Sequence, residues 1–281
     1  MKIETIDLYA YFGIERPKNA AGYLTTYIIN QSEEFCKDRL RPAMIVIPGG
    51  GYGFRSDREN EPIALEFLSK GFNAFSLAYS VASEGDVKFP YQLIEGCMAV
   101  AFVRENADKY NVDKNHVCAV GFSAGGHLCT MLATIYDDPI VEQFLGKKAS
   151  LCRLDGAILS YPVVSSGEFA HGGSFDNLCG DDAALKKALS LETRVNERAV
   201  PAFIWCTADD TCVPSQNSLM LAWEYRKVGV PFELHVFESG VHGLSLANEE
   251  VNSVNVEVQE WLVLVDRWLK KRGFKISNRE I

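Results

Sequence analysis

The sequence predicts one α/β domain built on a mostly parallel, doubly wound sheet with helices on both faces. Short apolar runs alternate with longer segments of helical periodicity along most of the 281 residues. The predicted strands are apolar almost throughout, as in sheets that are covered on both sides. No internal repeat and no Pro/Ser-rich linker interrupts this order, so we expect residues 1–281 to form a single domain.

The same alternation predicts the bounds of the individual strands and helices. Two N-terminal strands are expected at 5–12 and 22–29. The alternation then predicts strands at 43–47, 72–80, 116–121, 155–164, 201–208 and 232–240. Helices are expected at 61–71, 89–110, 124–136 and 215–229.

The C-terminal segment predicts a last helix that packs on the sheet. Its apolar residues recur at spacings of four and three, which places them on one helical face. They are Val254, Val258, Trp261, Val265 and Trp268. We interpret this stripe as core packing, because it carries no group that could bind a cofactor.

One segment breaks the alternation. Residues 165–199 lie between two predicted strands and are too many for a simple crossover. Open α/β sheets bind ligands beyond the carboxyl ends of their strands. The segment is therefore expected to form a small helical cap over that edge of the sheet.

Composition and charge exclude several classes of partner. A net charge of −9 would repel a phosphate backbone or an anionic membrane surface. No window approaches the roughly 20 apolar residues of a membrane span, and Glu4 and Asp7 interrupt the region where a signal peptide would be apolar. We expect a soluble, cytoplasmic protein without a nucleic-acid or membrane partner. The oligomeric state stays open, and a homo-oligomer is one of the alternatives.

The eight cysteines predict free thiols and no metal site. They are dilute in a chain of this length, and Cys97, Cys118, Cys129 and Cys206 all lie inside apolar runs. No CxxC or HxxxH pair offers a metal-ligand spacing. No metal and no organic cofactor is expected.

A candidate nucleophile lies in the pentapeptide GFSAG, residues 121–125. It follows a predicted strand and opens a predicted helix, which is the setting of a nucleophile elbow. The flanking glycines permit a sharp corner that side chains would obstruct. The pentapeptide alone is a weak signal, but its position makes Ser123 the candidate nucleophile.

A serine hydroxyl needs a base, and the base needs an orienting acid. His242 follows the last predicted strand in a glycine-flanked loop, and Asp209 and Asp210 follow the strand before it. All three would lie at the carboxyl edge of the sheet. The spacing leaves open which aspartate is the acid.

Backbone amides near the serine could bind the oxyanion of a tetrahedral intermediate. The segment IPGGGYG, residues 47–53, follows a predicted strand, and its glycines allow the backbone to approach a carbonyl oxygen closely. We assign donors to Gly50 and Gly51, together with the amide of Ala124. No GxGxxG register fits this loop, which excludes a dinucleotide fingerprint.

With these segments in view, residues 40–250 resemble the α/β-hydrolase superfamily, and within it small esterases similar to acetyl xylan and feruloyl esterases. The resemblance is carried by PGGGY, GFSAGGHL, TADDTCVPSQNSL and FELHVFESGVHGLSL. It implies an α/β-hydrolase fold, hydrolysis of carbohydrate esters, and Asp210 as the acid, four residues before the proline of the VP pair. Pro48 departs from the histidine of lipase-like relatives, so their oxyanion-loop contacts are not carried over.

Other residues near these motifs have competing interpretations. Tyr52, Phe54 and Phe169 could form a wall that stacks on sugar or binds an acyl group, although aromatic residues near an apolar sheet more often belong to the core. His171 could touch a substrate from a glycine-rich loop, but a solvated loop histidine is the favoured alternative. His127 is interpreted as structural, because an activating base must approach Ser123 from the substrate side. His116 and His235 are also interpreted as structural, and Cys212 as a bystander thiol.

The predicted reaction is hydrolysis of short-chain, acetyl-type esters of sugars or oligosaccharides through an acyl-enzyme on Ser123, the substrate being a small molecule. Two alternatives stay open. A small-amide, formamide or peptide hydrolase would use the same triad. A non-catalytic ligand-binding protein could use the same fold, although such proteins usually lack a triad member.

Overall fold

The computed structural model describes residues 1–35 and 39–277. Within these ranges the strands form one eight-stranded sheet. Its strands are β1 (Thr5–Asp7), β2 (Tyr23–Tyr27), β3 (Arg41–Ile47), β4 (Asn73–Ala78), β5 (Val112–Phe122), β6 (Gly156–Ser160), β7 (Ala202–Thr207) and β8 (Phe232–Phe237). They lie side by side in the order β1-β2-β4-β3-β5-β6-β7-β8. The six strands from β4 to β8 in this order are parallel, whereas β2 pairs antiparallel with β4 on one side and with β1 on the other. The predicted mostly parallel sheet is confirmed.

Helices cover both faces of this sheet. They are α1 (Leu8–Phe12), α2 (Glu61–Ser69), α3 (Tyr91–Glu105), α4 (Ala124–Thr134), α5 (Pro139–Leu145), α6 (Gly172–Cys179), α7 (Ala183–Ala188), α8 (Gln216–Val228), α9 (Val256–Gln259) and α10 (Trp261–Lys271). Successive side chains of a strand point to opposite faces. Ile45 and Ile47 therefore join the core under α3, α4 and α8, whereas Met44 and Val46 join the core under α2 and α10.

The first predicted strand, 5–12, is wrong beyond Asp7. The Asp7 side chain accepts a hydrogen bond from the Ala10 amide at 3.0 Å, which caps a helix and ends the strand. Gly13, with φ of 66°, then ends that helix in the left-handed conformation. A local cap thus overrides the apolar pattern of Leu8 to Phe12.

The C-terminal stripe is confirmed at four of its five positions. Val258, Trp261, Val265 and Trp268 are at most 1% exposed, but Val254 is 58% exposed. The reason lies in the residue that follows it. Asn255 caps α9 by accepting from the Val258 amide, so the helix begins only after Val254.

The segment between β6 and β7 carries α6, α7 and a short 3₁₀ turn at Leu191–Arg194. Helix α6 lies against the loop that follows β3, because the Asn177 side-chain amide donates to the Gly51 carbonyl at 2.9 Å. Its buried residue Phe175 contacts the ring of His127 on α4, with ring centroids 5.3 Å apart. The segment thus reaches the carboxyl edge of the sheet.

The cysteines expected as buried free thiols are confirmed. Cys97, Cys118, Cys129 and Cys206 are buried and unpaired, as are Cys152 and Cys179, whereas Cys212 is exposed and free. Cys36 lies outside the described residues. Among the described helices, none combines the length and apolar character that crossing a bilayer requires.

Candidate active site

Ser123 stands at a sharp corner between β5 and α4. It has φ of 54° and ψ of −119°, a backbone conformation that is strained for a residue with a side chain. The corner requires both flanking glycines. A Cβ on Gly121 would come within 2.3 Å of the Gly125 carbonyl oxygen, and a Cβ on Gly125 within 2.3 Å of the Ile47 carbonyl oxygen. Gly121 is therefore required by the turn itself, and Gly125 by the close approach of the end of β3.

Strand β6 and the segment that follows it hold the corner in place. The Ser123 amide donates to the Ser160 carbonyl at 3.0 Å, and the Ser123 carbonyl accepts from the Val163 amide at 3.0 Å. Ser123 itself is 6% exposed. Its hydroxyl consequently has a defined position beyond the carboxyl end of β5.

His242 connects Ser123 to Asp210. Its Nε2 lies 2.8 Å from Ser123 Oγ, and its Nδ1 lies 2.6 Å from Asp210 Oδ2. A carboxylate only accepts, so Nδ1–H donates to Asp210 and Nε2 accepts from the serine hydroxyl. Asp210 is buried, and its other oxygen accepts from the amides of Cys212 and Val213 at 2.8 and 2.9 Å.

Asp209 has a different set of contacts. Its carboxylate accepts from the Ser239 hydroxyl at 2.8 Å and from the Gly240 amide at 2.7 Å. These hydrogen bonds lower the pKa of Asp209. The side chain therefore braces the start of the loop that leads to His242, while Asp210 meets the imidazole.

The glycine loop, residues 49–54, follows β3 and bends back toward Ser123. Gly50 has φ of 120° and Gly51 has φ of 63°, and a Cβ on Gly50 would come within 2.2 Å of the Phe54 carbonyl oxygen. Within the described part of the chain, neither of these two amides donates a hydrogen bond. Ala124 is the first residue of α4, so its amide has no partner within the helix. Free donors are thus available on both sides of the serine.

A pocket of about 380 Å³ opens above these groups, which is within the usual range for small-molecule sites. Its lining includes Gly50, Gly51, Ser123 and His242, together with Phe54, Arg58, His171, Asn177 and Cys212. The lining comes from five separate segments of the chain. The pocket therefore exists only in the folded protein.

Two of the four predicted substrate contacts line this pocket. Phe54 is 59% exposed at its mouth, and the Nδ1 of His171 lies 2.8 Å from the Ser174 hydroxyl. Burial lowers the pKa of His171, and the nearby His242 acts in the same direction.

Tyr52 and Phe169 do not line the pocket, which corrects their interpretation as parts of a substrate-binding wall. Tyr52 is 1% exposed because its ring turns into the core, where its hydroxyl donates to Nδ1 of His127 at 2.9 Å. Phe169 is half-buried, and its carbonyl accepts from the Asn217 side chain at 2.9 Å.

His127 lies beneath the corner and is fully buried. Its Nε2 donates to the Leu189 carbonyl at 2.9 Å, which leaves Nδ1 to accept from Tyr52. Burial lowers the pKa of His127 to about 4. The side chain is therefore neutral and has both nitrogens occupied, in agreement with its interpretation as structural. His116 and His235 bond to Asp113 and Glu233 at 2.8 and 2.9 Å.

Sequence reasoning missed Glu59, a buried carboxyl at the base of the pocket. Its oxygens accept from the Gly49 amide at 2.9 Å and from the Tyr161 hydroxyl at 2.7 Å. Burial raises the pKa of Glu59, although these hydrogen bonds oppose the shift. In the segment SDRENEP the residue looks like an exposed acid in front of a helix. No local signal could find it, because its partner Tyr161 is 102 residues away.

No group of three or more His, Cys, Asp or Glu side chains among residues 1–35 and 39–277 could hold a metal ion. The chemistry available at this site is that of a serine hydroxyl, a hydrogen-bonded imidazole and a carboxylate beside unpaired amides.

The family model BD-FAE matches residues 34–224 of this chain. The chain is similar to endo-1,4-beta-xylanase B of Butyrivibrio fibrisolvens, 41% identical over 217 residues that cover 76% of this chain and 34% of that protein. It is also similar to the acetylxylan esterase of Xylanibacter ruminicola, 29% identical over 208 residues, or 72% of this chain and 40% of that protein. The chain thus spans two fifths or less of the length of these two curated relatives.

A solved structure matches over almost the whole length of both chains. It is the acetyl ester-xyloside bifunctional hydrolase from Caldicellulosiruptor lactoaceticus, with a TM-score of 0.83 and 36% sequence identity. The match covers 96% of this chain and 97% of that one.

Proposed function

The chain belongs to the BD-FAE family of α/β-hydrolases, and on that premise we propose that it is a serine carboxylic ester hydrolase acting on acetyl-type esters of sugars or oligosaccharides. The observation that carries the proposal is the continuous hydrogen-bonded chain from Ser123 through His242 to Asp210. The names of the similar proteins, an acetylxylan esterase and an acetyl ester-xyloside hydrolase, support the substrate class.

The first half of the proposed reaction transfers the acyl group to the enzyme. Ser123 Oγ attacks the ester carbonyl while Nε2 of His242 takes the hydroxyl proton, and Asp210 stabilises the resulting imidazolium. The negative charge that develops on the carbonyl oxygen is bound by the amides of Gly50, Gly51 and Ala124. The intermediate collapses when the alcohol leaves with the proton from Nε2, and an ester of Ser123 remains.

The second half releases the acid. A water molecule gives its proton to Nε2 of His242 and attacks the acyl carbonyl, and the same amides bind the oxyanion. Collapse breaks the bond to Ser123 Oγ, which recovers its proton from the imidazolium. The reaction consumes one water and needs no metal or organic cofactor.

The size of the pocket supports a short acyl group. Its volume of about 380 Å³ has to hold the acyl group together with part of the alcohol. Asn177 of α6 is bonded to the glycine loop on one side of this space. Phe54 and His171 line the same pocket, and we assign them contacts with the alcohol, because an exposed aromatic ring is a suitable surface for the apolar face of a sugar.

Replacement of Ser123 by alanine tests the proposal. We expect turnover of p-nitrophenyl acetate to fall by about 10⁴-fold or more, because the variant lacks the hydroxyl that forms the acyl-enzyme in the proposed mechanism. Ser150→Ala is a suitable control, since that hydroxyl is exposed and bonds only to the Lys147 carbonyl within its own turn. Unchanged turnover by the Ser123 variant would refute the mechanism.

The substrate class is tested by comparing kcat/KM on acetylated xylo-oligosaccharides, formamides and short peptides. An ester hydrolase should favour the acetylated sugars, whereas an amide hydrolase with the same triad should favour one of the other two. Labelling of Ser123 by a fluorophosphonate distinguishes both from a non-catalytic binding protein, which would not react.

We further propose that the enzyme acts in the cytoplasm on short imported oligosaccharides. The seven cysteines within the described ranges are all free, which suits a reducing compartment. Fractionation of the source cells would test this, and enzyme found mainly outside intact cells would argue against it.

A further inference from the structure

We propose that Glu59 is a positioning residue for this reaction, which joins the glycine loop to the loop carrying His242 through Gly49 and Tyr161. The inference rests on the proposed function, because it assigns Glu59 a role in aligning that machinery. Glu59 is 3% exposed and lies at the end of a short 3₁₀ turn, Asp57–Glu59, that precedes α2.

The first contact fixes the start of the glycine loop. Oε2 of Glu59 accepts from the Gly49 amide at 2.9 Å, and Gly49 directly precedes the two residues with unpaired amides. A Cβ on Gly49 would come within 2.6 Å of Glu59 Oε2, 2.7 Å of the Phe122 carbonyl oxygen and 2.9 Å of Ser123 Cβ. Gly49 is therefore held between Glu59 and the nucleophile corner. A displacement of Gly49 would move the oxyanion donors relative to Ser123 Oγ.

The second contact fixes the surroundings of His242. Oε1 of Glu59 accepts from the Tyr161 hydroxyl at 2.7 Å, and that hydroxyl in turn accepts from the Ser245 amide at 2.9 Å. The ring of Tyr161 lies edge-on to the imidazole of His242, with centroids 5.0 Å apart. Tyr161 thus supports His242 both through ring contact and through the backbone three residues further on.

A third bond closes the connection between the two loops. The Ser245 hydroxyl donates to the carbonyl of Arg58, the residue before Glu59. The Glu59 turn, Tyr161 and the His242 loop are therefore mutually bonded. A carboxylate suits the centre of this arrangement because each of its oxygens accepts one of the two buried donors.

The same chain offers a matched control in Glu95. This carboxyl is also fully buried, and it accepts from the Tyr9 hydroxyl, the Ser80 amide and the Ser80 hydroxyl at 3.0, 2.7 and 2.5 Å. Burial raises its pKa to about 7. Neither Glu95 nor its partners line the active-site pocket. Glu95 is therefore a control for a buried carboxyl that stabilises the fold without positioning groups of the active site.

The test compares Glu59→Gln with Glu95→Gln in steady-state hydrolysis of p-nitrophenyl acetate and in thermal unfolding. Both variants should lower the midpoint of unfolding. Only Glu59→Gln should lower kcat, by roughly 10- to 100-fold with KM changed by less than about threefold, because misplaced groups slow the chemical steps more than they weaken binding. A kcat for Glu59→Gln within twofold of the unmodified enzyme would overturn the inference.

A double-mutant cycle with Tyr161→Phe tests the connection itself. If Glu59 acts through Tyr161, the two kcat effects should be less than multiplicative, and the double variant should be close to the slower single variant. Fully multiplicative effects would contradict the connection. If Glu59→Gln does not fold, Tyr161→Phe carries the test alone, since it removes only the hydroxyl, and an unchanged kcat would then overturn the inference.

A failure of the positioning role of Glu59 can be distinguished from a failure of the proposed serine mechanism. An active Ser123→Ala variant would refute the serine mechanism whatever the Glu59 variants do. An inactive Ser123→Ala variant together with a fully active Glu59→Gln variant would refute only the positioning role.

Discussion

Two histidines lie on opposite sides of the Ser123 corner, one beneath it in the core and one at the pocket, and they differ in burial and in hydrogen-bond partners. His127 is four residues from Ser123 in the sequence, but it is fully buried and both of its nitrogens are occupied by Tyr52 and Leu189. His242 is 119 residues away, yet its Nε2 lies 2.8 Å from Ser123 Oγ at the pocket. In the proposed mechanism, access to the pocket at the sheet edge, and not proximity along the chain, decides which imidazole acts as the base.

The largest effect that this comparison predicts is on turnover. His242→Ala should lower kcat by between about 10⁴- and 10⁶-fold, since the proposed mechanism loses the base that takes the proton of Ser123. His127→Ala should lower kcat by less than roughly tenfold, while unfolding becomes easier by about 2–4 kcal/mol because buried partners lose their hydrogen bonds and a cavity forms.

Both quantities can be measured on the same preparations, by ester hydrolysis and by urea unfolding. The different roles of the two histidines would be contradicted if the His127 variant lost activity as completely as the His242 variant while remaining folded.

The next largest effect is a difference in kcat between variants of the two neighbouring aspartates. Asp210→Asn should lower kcat by about 10⁴-fold, because the amide no longer favours the His242 tautomer with a proton on Nδ1. Asp209→Asn should keep most of the activity, since its carboxylate bonds only to Ser239 and Gly240. Hydrolysis rates of the two variants on one ester give the answer. Equal losses would contradict the assignment of Asp210 alone as the acid.

The smallest effect is the pH dependence of stability that His127 contributes. Its folded pKa of about 4 lies below the value of about 6.5 in an unfolded chain, so the unfolded state binds the proton first as the pH falls. The free energy of unfolding should therefore decrease between pH 6.5 and 4, by roughly 3 kcal/mol in total. Above pH 6.5 both states are neutral at this residue and it adds no slope.

Unfolding by urea at several pH values, for the unmodified enzyme and for His127→Gln, isolates this contribution from that of the carboxylates. The difference between the two proteins should shrink as the pH falls from 6.5 to 4. A constant difference across that range would mean that the folded and unfolded states bind this proton at the same pH, and it would contradict a lowered pKa of His127.

The parts of the site that depend on contacts between neighbouring residues or adjacent strands could be predicted from the sequence. The parts that depend on contacts between distant segments could not. The Ser123 corner could be recognised from GFSAG, because the clashes that require its glycines involve residues close in sequence or on the adjacent strand. The spacing of CTADDTCVP left two aspartates open, and only family resemblance favoured Asp210. Tyr52 was misjudged because its neighbour His127 is 75 residues away.

By itself, the sequence determined the parallel α/β architecture and the placement of the polar loops at one sheet edge, because strand and helix periodicity and glycine stereochemistry act over a few residues. The tertiary structure alone decided which tyrosines became core, that Val254 stayed outside its helix, and that Glu59 came to lie between the glycine loop and Tyr161. Such contacts depend on how separate segments pack, and a buried carboxyl is recognisable only once its two donors are in place.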